Sequence, residues 1–457
     1  MCEEVRNLVS AFPRVEVLFL PNLNLQVMKE ISKIESLREL YITKNSFSTN
    51  ALKELPPKLD VLVLESAQSI KNNSSYDSLP VTLKELVIKS HANFGSQVCK
   101  ALPETLLELV LANSSVSLEM LPHLPSKLRK LEYVNCSLND KLQPGWKFPD
   151  SLKEIVMNNC HWLPQNFSCE CLPKGLEVLN LDQNSINSFQ GKFPDSLKVL
   201  TLRENGHHFA SSFLQCLPKG LEALYVPGLQ INANEILFWP PSLKTLDLRS
   251  NGVYVTVDFV SSLPPKLSSL KINVNLTDTE AASSMISKLP PSLQSLTLVL
   301  FGESTNFKQI ISNLPKSVSL LSIFNYYCLS ANDFMSIPDT IATLKLKKSA
   351  YYWGYKLMDF SMLPGSIRVL HLDSPDDNCF SNGLPPNLRE ITLSTQRTGF
   401  TRRRRYGWHD RTTVGQQFLN SLQPLLALEK VVIVNYTLPA GYDQFLPPNA
   451  EIYTISN

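Results

Sequence analysis

Leucines recur in one arrangement along the whole chain. Two stand a single residue apart, and a third precedes them by three positions. Examples are LPPKLDVLVL (Leu55–Leu64), LPKGLEVLNL (Leu172–Leu181) and LPPSLQSLTL (Leu289–Leu298). The closing pair alternates with polar or β-branched residues, as in Leu179-Asn180-Leu181 and Leu246-Asp247-Leu248. Period-two alternation predicts a short strand with one buried face. Proline at the head of the phrase suits strand entry, where its missing N–H removes no ladder bond. Eighteen prolines hold this position, from Pro13 to Pro447, and a nineteenth phrase (IESLRELYI, Ile34–Ile42) carries Glu35 instead. The anchors follow one another at intervals of about 24 residues.

Five positions after the first strand leucine lies a recurrent polar slot, filled by Asn45, Cys136, Cys160, Asn184, Asn205, Asn251 and Asn275. A buried side chain there can bond backbone groups of neighbouring coils that would otherwise go unsatisfied. The rest of each unit must return to the next strand. Thr277 ahead of DTEAASSMISKL and Ser330 ahead of ANDFMSI predict N-capped helices. The segment Gln183–Lys192 is too short and polar for more than a turn or a 3₁₀ stretch.

This phrase, its length and its Asn/Cys slot resemble the leucine-rich-repeat family across nearly the whole chain. The resemblance implies an α/β solenoid: a curved horseshoe with parallel strands on the concave face and short helices and turns outside. It also implies a single domain over 1–457 with about 18–19 repeats, because each repeat buries its apolar face only against its neighbours. The Leu-Pro opening looks like the variant found in bacterial LPX-type ubiquitin-ligase effectors and in fungal F-box/leucine-rich-repeat proteins. The repeat length fits the fungal group better. The bacterial reading also needs a Cys-x-Asp nucleophile motif, and no cysteine here is followed two residues later by Asp. Repeats begin near Phe12, so no F-box is expected ahead of them in this chain.

Composition narrows the classes. Hydrophobic residues at 43% and charged residues at 18% are those of a folded chain. A net charge of +2 argues against a nucleic-acid footprint spread over the whole surface, so any basic site is local. The nine cysteines are scattered and odd in number. The start lacks a basic segment followed by an apolar one, and no apolar run approaches a membrane span. A reducing compartment, cytosol or nucleus, with free thiols is expected.

Candidate chemistry is sparse. Cys160-His161 and Cys169-Glu170-Cys171 offer soft ligands. Yet Cys160 fills the polar slot, and Cys171 matches Cys216, since both precede an identical LPKGLE. No metal or other cofactor is expected. Phosphate-binding, zincin and nucleophile-elbow motifs are missing from the sequence, so the chain is not read as an enzyme. Asp376 and Asp377 read as a solvated turn, and His207 and His208 likewise.

Binding is expected on the strand face, a rigid array of outward side chains. Its central column runs from Phe19, Tyr41, Val63, Val87, Val110, Glu132 and Val156 into polar Asn180, Thr201, Tyr225, Asp247 and Lys271, and on through Lys345 and His371 to Val432. Phe19 and Tyr41 are candidate partner contacts. Asp182, Arg203, Tyr225, Asp247 and Arg249 form a second group rich in residue types favoured at binding hot spots. One interval, Pro385 to Pro424, is 39 residues long. Its excess, a basic insertion at about 395–415, holds Arg402, Arg403, Arg404, Arg405 and Trp408. Such a loop could grip phosphate, RNA or an acidic partner, or it could be a solvated charge run. A second aromatic cluster, Tyr351-Tyr352-Trp353, precedes it. Together these features predict a non-catalytic scaffold that binds a protein partner. Resemblance to the fungal proteins implies recruitment of that partner to a ubiquitin-ligase core.

Overall fold

The computed structural model describes residues 14–21, 25–43, 49–65, 73–91, 93–139, 145–205, 209–227, 229–230, 238–249, 256–302, 306–326, 329–347, 358–395 and 413–456. The chain forms two compact units, residues 1–230 with 240–242, and residues 231–239 with 243–457. Each is a leucine-rich-repeat array built on one parallel sheet.

In the first unit the strands are β1 (Val17–Leu20), β2 (Glu39–Ile42), β3 (Val61–Leu64), β4 (Glu85–Lys89), β5 (Glu108–Ala112), β6 (Lys130–Val134), β7 (Glu154–Asn158), β8 (Val178–Asn180), β9 (Val199–Thr201) and β10 (Ala223–Tyr225). Each pairs in parallel with the next without a register slip, so Phe19 lies beside Tyr41, Tyr41 beside Val63, and so on to Thr201 beside Tyr225. The central column read from the sequence is therefore one physical row. Small parallel pairings recur on the return side, among them Asn166–Ser168 with Ser188–Gln190. The Gln183–Lys192 segment thus holds a short strand as well as turns.

The second unit continues with β11 (Thr245–Asp247), β12 (Ser269–Asn275), β13 (Ser295–Phe301), β14 (Leu320–Phe324), β15 (Thr343–Lys347), β16 (Val369–Asp373), β17 (Glu390–Ser394), β18 (Lys430–Val434) and β19 (Glu451–Ile455). These are again parallel and in register. Its return segments carry α-helices, including Thr279–Ser287 and Ala331–Phe334. Asp278, one residue later than expected, caps the first by accepting from the Ala281 N–H. Ser330 caps the second as expected, with the Asp333 carboxylate accepting from its N–H and hydroxyl. Phe334, Phe360, Phe380 and Phe418 stack ring to ring from coil to coil, at 6.0, 5.3 and 5.0 Å between centroids. Asp377 is not a merely solvated turn residue. Its carboxylate accepts the Gln417 and Phe418 N–H groups at 3.1 and 2.9 Å, capping the helix Gln416–Leu422 from another coil. Gly415 beside it has no room for a Cβ against that carboxylate.

The anchor proline works one turn earlier than strand entry. Its carbonyl accepts the N–H of the leucine three residues on, as in Leu83 to Pro80, Leu176 to Pro173 and Leu293 to Pro290. That bond closes a β-turn and aims the leucine inward. The next two N–H groups then both donate to one carbonyl of the preceding coil, as Lys84 and Glu85 do to Asp60. Anchor and strand leucines such as Leu83, Leu86, Leu176 and Leu179 are fully buried. Truncating any one to alanine would cost about 2–5 kcal/mol.

After each of the strands β4 to β9 the chain turns through a residue with positive φ: Ser90, Asn113, Asn135, Asn159, Gln183 and Glu204. The residue immediately after it is the polar slot, so the slot column runs His91, Ser114, Cys136, Cys160, Asn184 and Asn205, all buried. Asn184 accepts the Cys160 N–H and donates to the Met157 and Asp182 carbonyls. Asn205 accepts the Asn184 and Ile186 N–H groups and donates to the Leu181 carbonyl. Cys136 and Cys160 place their thiols on the Leu111 and Tyr133 carbonyls of the coil before. His91 and Ser114 belong to the same column although the Asn/Cys consensus does not name them. In the second unit Tyr326 takes the slot, again after a positive-φ residue, Asn325. Asn275 does not. Its strand runs on to residue 275, and its side chain instead accepts from Thr277 at the turn. Asn45 and Asn251 lie outside the described residues.

Candidate recognition surfaces

Strand alternation sends residues on either side of each buried leucine outward, so three parallel rows line the strand face. In the first unit the rows begin with an exposed aromatic stack. Phe19 and Tyr41 lie 4.4 Å apart with planes 13° from parallel, and Phe19 is 64% exposed. The Tyr41 hydroxyl donates to Glu39 at 2.9 Å, and that bond, with burial and the field of Glu39 and Glu85, raises its pKa. The valines of the row are not an exposed apolar stripe: Val63 and Val156 are buried between their neighbours, and Val87 and Val110 are half-buried.

The next strands are carboxylate-rich. Lys130 sits within 3.8, 3.6 and 3.6 Å of Glu108, Glu132 and Glu154. Burial would lower its pKa, but the three carboxylates outweigh burial and raise it. Glu85 is pushed up by burial and then by Glu108.

At the far end of this unit Asp182, Arg203 and Tyr225 come together. The Arg203 guanidinium lies 4.3 Å above the Tyr225 ring. Its backbone N–H donates to Asp182 at 2.7 Å. The Asp182 carboxylate is thus turned to the Arg203 backbone and not to its guanidinium. Burial raises the Asp182 pKa. A planar guanidinium held on an aromatic ring is preorganised to present its edge to a ligand.

In the second unit Arg249 and Asp247 form a two-point pair, Nε to Oδ1 at 2.9 Å and Nη2 to Oδ2 at 2.8 Å. Lys271 approaches the same carboxylate at 3.3 Å. Burial alone would raise the Asp247 pKa; Arg249 and Lys271 outweigh it and hold it low. Arg249 and Lys347 each lie 5.2 Å from the centre of the Phe324 ring. His371, half-buried on β16, has its pKa lowered by burial and by Lys345, with further lowering from Lys347 and Lys430 and an opposing effect of Glu390. The described sequence-based candidates thus fall into three groups, Phe19 with Tyr41 and Asp182 with Arg203 and Tyr225 in the first unit, and Asp247 with Arg249 in the second. Lys345 and His371 stand in the central row, but with Lys347 and Phe324 they were not singled out, because no local motif marks the four side chains as neighbours. Arg402, Arg403, Arg404, Arg405, Trp408 and the aromatic segment 351–355 lie outside the described residues.

The cysteines behave as core. Burial raises the Cys160, Cys169 and Cys171 thiols to about 12, and Cys99 and Cys136 are raised by the same cause. His161 is exposed and does not join them. Among the described residues no group of three or more His, Cys, Asp or Glu side chains is placed to hold a metal ion, and no helix is long and apolar enough to cross a membrane. Native protein treated with a maleimide at pH 7.5 should therefore keep Cys136, Cys160, Cys169 and Cys171 unlabelled while free glutathione reacts fully. Peptide mapping by mass spectrometry reads this directly. Rapid labelling of Cys160 would contradict a buried protonated thiol.

No family model matches the chain, and no curated protein matches it. Among solved structures, CroV588, described as a novel circular LRR protein structure, is similar at 14% identity. That alignment covers 95% of this chain and 88% of CroV588, with a TM-score of 0.31. The leucine-rich-repeat architecture stated above rests on this chain's own strand register and slot column.

Proposed function

We propose that this protein is a non-catalytic recognition scaffold that binds a protein partner on its strand face. The observation that carries the reading is the Arg203 guanidinium held 4.3 Å above the Tyr225 ring on adjacent strands. Arginine and aromatic residues supply area and directional bonds together, and here they are already ordered before any partner arrives. The sheet beneath them is fixed by buried leucines, so little freedom is lost on binding. The exposed Phe19–Tyr41 stack offers a second apolar contact on the same unit.

The test is affinity capture with quantitative mass spectrometry, comparing the native chain with an Arg203→Ala/Tyr225→Ala variant. Recovery of the specific partner should fall by at least tenfold, corresponding to a loss of about 1.4 kcal/mol or more, while folding is unchanged by circular dichroism. Equal recovery from both proteins would defeat the assignment of the Arg203–Tyr225 pair.

Recruitment of the bound partner to ubiquitination is the role implied by resemblance to fungal F-box repeat proteins. It requires a ubiquitin-ligase subunit among the captured proteins. Capture of a partner without one leaves the scaffold reading standing and removes the ubiquitination role.

A further inference from the structure

The strand face of the second unit differs in chemistry from that of the first. Across β11–β16 the outward rows hold four cations, Arg249, Lys271, Lys345 and Lys347. Only two carboxylates share those rows, Asp247 and Asp373, and both are buried. Asp247 is consumed by Arg249 and Lys271 together. Among the described residues neither Lys345 nor Lys347 forms an ion pair, whereas Lys430 three strands on is matched by Glu390 at 3.4 Å. The excess charge is therefore concentrated on a few strands.

The cations are also positioned. Phe324 stands between Arg249 and Lys347, with each cation 5.2 Å from the ring centre. A ring so placed holds both heads near its face and limits their rotamers. Next to them His371 has its pKa lowered by burial and then by Lys345, against an opposing effect of Glu390, as expected where positive potential accumulates. The strands here include the longest among the described residues, β12 and β13 at seven residues each, which gives the face length along the chain direction. A low-dielectric wall lined by one sign of charge attracts the opposite sign and accelerates its arrival.

We infer that the strand face formed by β11–β16 binds an acidic segment of a protein partner, with Lys345, Lys347 and Arg249 receiving its carboxylates beside Phe324. The inference rests on the recognition reading above and names the chemistry of what is recognised. The first unit is distinct, since its Lys130 is already surrounded by Glu108, Glu132 and Glu154 and its Arg203 lies over Tyr225 beside the Asp182 carboxylate.

The test uses the full chain and three labelled peptides of equal length, glutamate-rich, glutamine-rich and lysine-rich, followed by fluorescence anisotropy. The glutamate-rich peptide alone should bind, and its affinity should fall as salt is raised. Lys345→Glu/Lys347→Glu should weaken it by at least tenfold, and the milder Lys345→Gln/Lys347→Gln by a smaller factor. Lys58→Gln, at an exposed lysine of the other unit, should leave it unchanged. Binding that survives both double variants, or the absence of any preference for the acidic peptide, overturns the inference. So does single-stranded RNA binding to this face with no acidic peptide binding, since the occupant would then be a nucleic acid. Partner capture that still depends on Arg203 and Tyr225, with no acidic-peptide binding, overturns this inference and leaves the scaffold reading in place. If capture is also independent of that pair, both fail.

Discussion

Replacing Asn184 by alanine should destabilise the first unit by about 3 kcal/mol. The side chain is fully buried and links three backbone groups, the Cys160 N–H and the Met157 and Asp182 carbonyls. Alanine removes the acceptor of the Cys160 N–H and a donor from each carbonyl, although the Asp182 carbonyl keeps the Asn159 N–H at 3.1 Å. An orphaned buried donor or acceptor costs about 1–3 kcal/mol, and some relief comes from water entering the small void. The fair control is Asn135→Ala. Asn135 also bonds across coils, to Asn113 and Asn159, but it is exposed, so water replaces those bonds and alanine there costs only the strain of its positive φ, about 1 kcal/mol. Urea unfolding monitored by circular dichroism compares the two. A shift for Asn184→Ala no larger than that for Asn135→Ala would mean the slot does not carry the coil-to-coil connection described here.

His91 should make the same unit lose stability in mild acid. It occupies the slot two coils before Cys136, and its Nδ1 accepts the Asn93 N–H at 3.2 Å. Its Nε2 is buried without a hydrogen-bond partner, next to the rings of Tyr76 and Phe94. Burial lowers its pKa from 6.5 to about 4. Between those two values the unfolded chain binds a proton that the folded chain does not. Stability therefore falls as pH drops through 6.5 and stops falling on this account near 4. The full difference is about 3 kcal/mol, at about 1.4 kcal/mol per pH unit. His371 is lowered as well and acts in the same direction, so the comparison must be with a variant and not with neutral pH alone. His91→Asn keeps an acceptor for Asn93 and removes the titration. Its urea midpoint should change less than that of the native protein between pH 7 and pH 4.5. Parallel pH profiles would show that His91 is not the group responsible.

Both effects belong to a column that was only half legible in the sequence. The leucine phrase repeats without a slip, so the strand register and the central row from Phe19 to Tyr225 could be read directly. Period-two alternation leaves no freedom once the buried leucines are assigned. Cys136, Cys160, Asn184 and Asn205 were legible because they match the consensus slot. His91 and Ser114 were not, because many small or planar polar groups can satisfy the same backbone atoms. Asn275 was misplaced because its strand is longer, which moves the turn beyond it. Asp377 was read as solvated because its partner helix lies some forty residues away, beyond any local pattern. The cationic face of the second unit escaped for a similar reason. Arg249, Phe324 and Lys347 come from three separate strands, and nothing near any one of them in the sequence announces the others.

The slot column also gives the first unit a mechanical direction. Asn184 and Asn205 both reach back to the coil before their own. Stripping a coil from the C-terminal side therefore uncovers backbone groups that had been buried. Stripping one from the N-terminal side uncovers ladder N–H groups too, but at the slot it frees a side-chain amide, which water can take over. Under tension the array should come apart in steps, each releasing about 80 Å of extended chain, the length of some 24 residues. The two ends would resist pulling unequally, as a zipper does.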